Sequence, residues 1–210
     1  MASLILEACV ETLDEALAAQ QNGATRIELC ADLAQDGLTP EKELTLACLK
    51  NLSIPIMAMV RPRGGNFVYS EPELKEMEES IRMFKQLGVA GVVFGLLKED
   101  HTVDLENTRR LAALAKPLEV TFHKAIDYSA DPLVSFQQLN EVDGITRVLT
   151  SGGAATALEG QHIIRRMNNL PGRKISVIAA GKITALNRDQ IAQLTGSKEL
   201  HGKKIVGKLT

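Results

Sequence analysis

Cys9, Cys30, Glu7, Glu28, Arg61 and His123 all stand at or near the ends of short apolar runs, where a buried strand would hand its last side chains to a site. The densest group is Arg61-Pro62-Arg63-Gly64-Gly65, which follows the apolar run Ile54 to Val60. Pro62 fixes its own φ and holds Arg61 extended, so two guanidiniums leave the strand end in set directions. Gly64 and Gly65 allow close approach to the main chain. Forked donors beside bare amides suit a carboxylate or phosphate, so Arg61 and Arg63 are read as an anion clamp. A second anion site is expected at Ser151, Gly152 and Gly153, whose amides would open a helix. Cys9 and Cys30 place a thiol at two of these ends. His123 is also a candidate general acid or base, tuned by Glu28 or Glu7.

These residues recur on a regular scaffold. Strand-like runs at Leu4–Val10, Arg26–Cys30, Ile54–Arg61, Gly91–Leu97, Glu119–Ile126, Ile145–Thr150, Lys174–Ala180 and Lys198–Val206 alternate with helical patterns. The helices are expected over Thr12–Asn22, Pro40–Asn51, Glu71–Leu87, Leu105–Ala115, Pro132–Val142, Ala155–Asn168 and Asn187–Leu194. Thr39 reads as the N-cap of the second, with Pro40 at its first position. Leu74, Met77, Ile81, Phe84 and Leu87 give the third a clear helical period, closed by Gly88.

Repeated βα units with short loops require parallel strands and right-handed crossovers. Eight strands favour a closed (β/α)8 barrel of the TIM type, a single domain over residues 1–210. The chain is shorter than the roughly 250 residues typical of such barrels. It stops just after strand eight, so the final helix is expected to be missing. That would leave an apolar strip beside strands eight and one, and a homodimer covering it is the expected assembly.

The composition is 45% hydrophobic and 24% charged with a net charge of −2, which suits a soluble globular protein and points away from nucleic acid. Aromatic residues are 3% and tryptophan is absent, which argues against single-strand stacking. No run approaches the roughly 20 apolar residues of a membrane span. The start, Met1-Ala2-Ser3-Leu4, has no basic segment, so a cytoplasmic protein with three reduced cysteines is expected.

Barrel chemistry gathers at the C-terminal strand ends. Alternation puts Glu7 with Cys9 on one face, Glu28 with Cys30, Arg61 with Met57 and Met59, and His123 with Thr121. The outer faces pack under helices, so these polar residues should point into the lumen. Buried charges there must be paired, and Arg61 with Glu7 or Glu28 is the expected pair. Gly181-Lys182 and His201-Gly202 end strands seven and eight. Cys48 sits in an apolar helix and reads as core.

The runs Arg26-Ile27-Glu28-Leu29-Cys30, Gly37-Leu38-Thr39-Pro40, Arg61-Pro62-Arg63-Gly64-Gly65 and Phe67-Val68-Tyr69-Ser70 resemble the CutC family of copper homeostasis proteins. So do Gly91-Val92-Val93-Phe94-Gly95, Thr121-Phe122-His123-Lys124-Ala125 and Arg147-Val148-Leu149-Thr150-Ser151-Gly152. Ala179-Ala180-Gly181-Lys182 departs from the family's second glycine-rich turn, and members often extend beyond this chain's end. The resemblance implies a cytosolic (β/α)8 protein of copper handling. Cu(I) on Cys9 and Cys30, with Met57, Met59 and His123 as further ligands, is then one expectation. A barrel enzyme acting on a small phosphorylated or carboxylated metabolite, through Arg61, Glu28, Glu7 and His123, is the alternative.

Overall fold

A computed structural model describes residues 4–209 as a closed parallel barrel with strands in sequence order, β1 pairing both β2 and β8. The strands are β1 Ile5–Val10, β2 Arg26–Leu29, β3 Ile56–Met59, β4 Gly91–Phe94, β5 Glu119–Phe122, β6 Arg147–Thr150, β7 Ser176–Ala179 and β8 Glu199–His201. The helices are α1 Leu13–Gln21, α2 Lys42–Asn51, α3 Glu71–Leu87, α4 Leu105–Ala115, α5 Pro132–Leu139, α6 Gln161–Asn168 and α7 Arg188–Thr195. The expected (β/α)8 topology is therefore the observed one. Among the described residues no helix follows β8.

Strand alternation sorts the interior into two compartments. Ala8, Val10, Ile27, Leu29, Val92, Phe94, Val120 and Phe122 face outward and bury against the helices in the main apolar core. The opposite faces fill the lumen, with Cys9, Cys30, Met57, Met59 and Val93 clustered on one side. Gly91 is part of that fit. A Cβ there would lie 2.3 Å from Met57 Cε and 2.6 Å from the Glu119 carbonyl oxygen, so the lumen has no room for one.

Local signals explain the helix limits. Ser70 and Glu73 form a capping box at the start of α3, and Gly88 closes it in the left-handed conformation at φ 82°. Leu74, Met77, Ile81 and Phe84 are its buried stripe, as the spacing predicts. Three expected boundaries move. Helix α2 starts at Lys42 behind Glu41, because the Thr39 hydroxyl accepts from the Arg61 amide (2.9 Å) instead of capping. Helix α6 starts at Gln161, because residues 151–160 form a turn in which the Gly152 and Gly160 backbones touch. Strand β8 ends at His201, and the chain beyond it buries Ile205, Val206 and Leu209 against the core. That segment covers part of the strip expected to lie bare, while Leu4 and Leu6 stay half-buried.

Candidate functional site

Three levels of side chains stack in the lumen. The lowest is a chain of charges. Arg26 pairs with Glu7 through Nε and with Glu199 through Nη2 at 2.7 Å. Arg147 continues the chain to Glu199 (3.1 Å) and Glu119 (2.6 Å). Register makes this possible, since Glu7 sits opposite Arg26 on one side and His201 on the other. The expected pairing of Arg61 with Glu7 or Glu28 is thus replaced by Arg26, one strand nearer. Burial pushes the Glu7 carboxyl upward, but the Arg26 charge and the His201 hydrogen bond prevail and hold it at about 2.

The middle level carries the sulfur. Cys9 and Cys30 Sγ each lie 3.5 Å from Glu28 Oε2, and the three ligand atoms lie within 4.8 Å of one another. His201 joins them, with Nδ1 2.8 Å from Glu7 and Nε2 3.8 Å from Glu28. A hydrogen bond from Cys30, reinforced by His201, lowers the Cys9 thiol to about 5 despite its burial. Cys30 is pushed the other way by that same hydrogen bond and by burial. Burial raises Glu28 to about 8, helped by the negative charges of Cys9 and Glu7. His201 is raised despite burial, because Glu28, Cys9 and Glu7 surround it. Burial and the surrounding charges thus draw Cys9 and His201 toward their charged forms and Cys30 and Glu28 toward their neutral ones. Glu28 Oε1 is buried without a partner.

The upper level opens to solvent through a cavity of 320 Å³, lined by Cys9, Glu28, Met59, Arg61, Phe67 and His123 among others. The Arg61 side chain is 3% exposed and directed largely to its own scaffold. Its Nη1 donates to the carbonyls of Gln35 (2.6 Å) and Gly37 (3.2 Å), and its Nη2 to Gly65 (3.1 Å). Its Nε, buried, has no partner. His123 Nδ1 accepts from the Ala125 amide (3.2 Å), and Nε2 is buried without a partner. Burial, with the Arg61 charge nearby, lowers His123 to about 3, so the ring is neutral and carries its proton on Nε2. Each such orphan donor costs about 1–3 kcal/mol.

The sequence-read residues therefore divide. Cys9, Cys30, Glu7 and Glu28 come together, and Met57 and Met59 pack against the two cysteines. His123 stands apart from Glu7 and Glu28, which engage His201, so carboxylate tuning of His123 is not the arrangement found. Arg63 is no clamp. It pairs with Glu73 and donates to the carbonyls of Gly64, Asn66 and Val68. The Ser151–Gly153 turn already holds an internal anion. Asp127 accepts from the amides of Ser151 (2.9 Å) and Gly153 (2.9 Å) and from Thr150 Oγ1, while the Gly152 amide donates to Thr150 Oγ1 (2.8 Å). Lys124 adds its ammonium to Asp127 at 2.6 Å.

A profile of the CutC family matches residues 4–206. The chain belongs to the CutC family. It is 40% identical to the human copper homeostasis protein cutC homolog over 197 residues, 94% of this chain and 72% of that one. It is 38% identical over 196 residues to a CutC family protein of Histophilus somni, 93% of this chain and 80% of the other. The solved CutC structure from Streptococcus agalactiae superposes with a TM-score of 0.90 at 32% identity, covering 96% of this chain and 99% of that one. Dihydrodipicolinate synthase from Cyanidioschyzon merolae shares the barrel alone, at TM-score 0.64 and 16% identity over 96% of this chain and 70% of its own. Arg26, central to this CutC chain's lumen, escapes a reading confined to strand ends, and His201 stands at the end of strand eight without a role assigned to it there. The signal for both was parity, since they lie on the lumen faces of Glu199 and Glu28.

Proposed function

We propose that this CutC protein handles copper by binding Cu(I) as cargo between Cys9 and Cys30. The observation that carries the reading is the pairing of these sulfurs on adjacent strands, both 3.5 Å from Glu28 Oε2 at the inner wall of an open cavity. The two sulfurs and Glu28 Oε2 all lie within 4.8 Å of one another, so a single ion can reach both thiols. Cu(I) is soft and accepts two thiolates, and the neighbours of Cys9 favour its thiolate form. The Cys30 thiol must lose its proton on binding, so affinity rises with pH. Arg61 plays no part in this site, because its fork holds the loops at residues 35–37 and 65. The human relative's name, copper homeostasis protein, supports the same reading.

A Cu(I) competition titration of the reduced protein against a chromophoric chelator tests this. One ion per chain is expected, with affinity falling by about two orders of magnitude, roughly 2.7 kcal/mol, in Cys9→Ala and in Cys30→Ala. Weak binding that survives both substitutions would sink it. On the same footing the protein works in the reducing cytoplasm, where both thiols stay free, and pairs as a homodimer over the half-buried Leu4 and Leu6. Sedimentation showing a monomer alone at micromolar concentration would remove the dimer.

A further inference from the structure

The upper level of the cavity contains polar groups that a bound copper ion leaves unexplained. His123 and Arg61 are 4% and 3% exposed, both line the cavity, and each buries one N–H without a partner. His123 offers Nε2–H, because Nδ1 accepts from the Ala125 amide. Arg61 offers Nε–H, because its terminal nitrogens are tied to carbonyls. The two groups flank one ring. The Phe67 centroid lies 5.1 Å from the Arg61 guanidinium carbon and 5.0 Å from the His123 ring. Phe67 itself is only half-buried, on the glycine-containing loop after β3, and touches Tyr128 at the rim.

Gly95 shows that the imidazole position is a built feature. A Cβ there would stand 2.5 Å from His123 Nδ1, so only glycine leaves the ring its place.

From these walls we infer that the cavity binds a small organic carboxylate, its two oxygens accepting from Arg61 Nε and His123 Nε2. Both free groups donate, so the occupant must accept. The fixed charge of Arg61 favours an anion over a neutral carbonyl. Two donors match the two oxygens of a carboxylate and leave a phosphate dianion short. The turn most suited to phosphate, at Ser151 and Gly153, is already filled by Asp127. A cavity of 320 Å³ suits a metabolite rather than a polymer. The aromatic face of Phe67 gives the carbon body of such a ligand an apolar neighbour.

Acetate is the minimal probe, with acetamide as its uncharged isostere and inorganic phosphate as the rival anion. The reduced, metal-free protein is titrated with each while amide and imidazole resonances are followed by NMR, so the outcome is independent of copper. Acetate is expected to shift the His123 ring and Gly95 amide signals saturably at millimolar concentration, with acetamide and phosphate at least about tenfold weaker. Arg61→Lys, which loses the planar fork, and His123→Phe, read through Gly95, should each weaken acetate by about tenfold or more. If Arg61→Lys loses its folded spectrum, His123→Phe decides. Absence of a saturable acetate shift, equal binding of acetamide or phosphate, or unchanged affinity in folded variants would each overturn the inference.

Discussion

Replacing Arg26 by methionine probes the ionic base on which the whole site rests. The substitution keeps much of the side-chain volume but removes the charge shared by Glu7 and Glu199, whose side chains are 1% and 9% exposed. Breaking a buried pair costs about 3–5 kcal/mol, chiefly through the charge left behind. Here Glu199 keeps Arg147 at 3.1 Å and Glu7 keeps His201 at 2.8 Å, so the loss belongs at the low end, about 3 kcal/mol. For a chain of this size that lowers the melting temperature by about 6–12 °C. Its pH dependence is the sharper test. The Glu7 carboxyl is depressed from 4.5 to about 2 in the folded protein, so its contribution is complete above about 4.5 and disappears as pH falls toward 2. In the variant Glu7 titrates higher and becomes neutral earlier, which relieves the uncompensated charge. The gap between the proteins should therefore narrow on acidification, while the acid-labile neutral His123 affects both alike. Urea denaturation across this pH range measures it. A difference below about 1 kcal/mol at neutral pH, or one that does not narrow between about pH 4.5 and 2, would refute the reasoning.

Three further outcomes follow from the geometry. His201→Gln removes the ring that favours the Cys9 thiolate, so the thiolate's ultraviolet absorbance should titrate clearly higher than in the parent; an unmoved titration would contradict that coupling. Gly160→Ala places a Cβ 1.8 Å from the Ser151 carbonyl oxygen and 3.0 Å from Gly152 Cα, backbone in both cases, and should cost about 3 kcal/mol in thermal or urea unfolding. A near-neutral result would mean that the turn at residues 151–160 is looser than described. Asp127→Ala strands the Ser151 and Gly153 amides and the Thr150 hydroxyl, so it should cost about 3 kcal/mol and make melting temperature rise with added phosphate, unlike the parent. Loss below about 1 kcal/mol would show those bonds to be dispensable.

What could be read in advance was whatever depended on local pattern. The βα alternation, the α3 stripe with Ser70 and Gly88 at its ends, and the lumen parity of Cys9, Cys30, Glu7 and Glu28 are all written in consecutive residues. What escaped depends on neighbours distant in sequence. Arg61 was matched with the glutamates because strand ends were compared without register; register sets Arg26 beside Glu7 and leaves Arg61 facing loop carbonyls. Ser151–Gly153 has the composition of an open anion site, yet Asp127, from the segment after β5, fills it. His201 stands at the end of strand eight in the sequence, but only the β1–β8 register, unreadable locally, sets it opposite Glu7. Thr39 looked like a cap until the Arg61 amide claimed its hydroxyl.

The copper reading stands or falls on which atoms surround the ion. X-ray absorption at the copper K edge, on reduced protein loaded with an equivalent of Cu(I), observes them directly. The account predicts a shell of two sulfurs that disappears when Cys9 and Cys30 are replaced together by alanine. A shell of nitrogen or oxygen, or a sulfur shell that survives the double replacement, would contradict it.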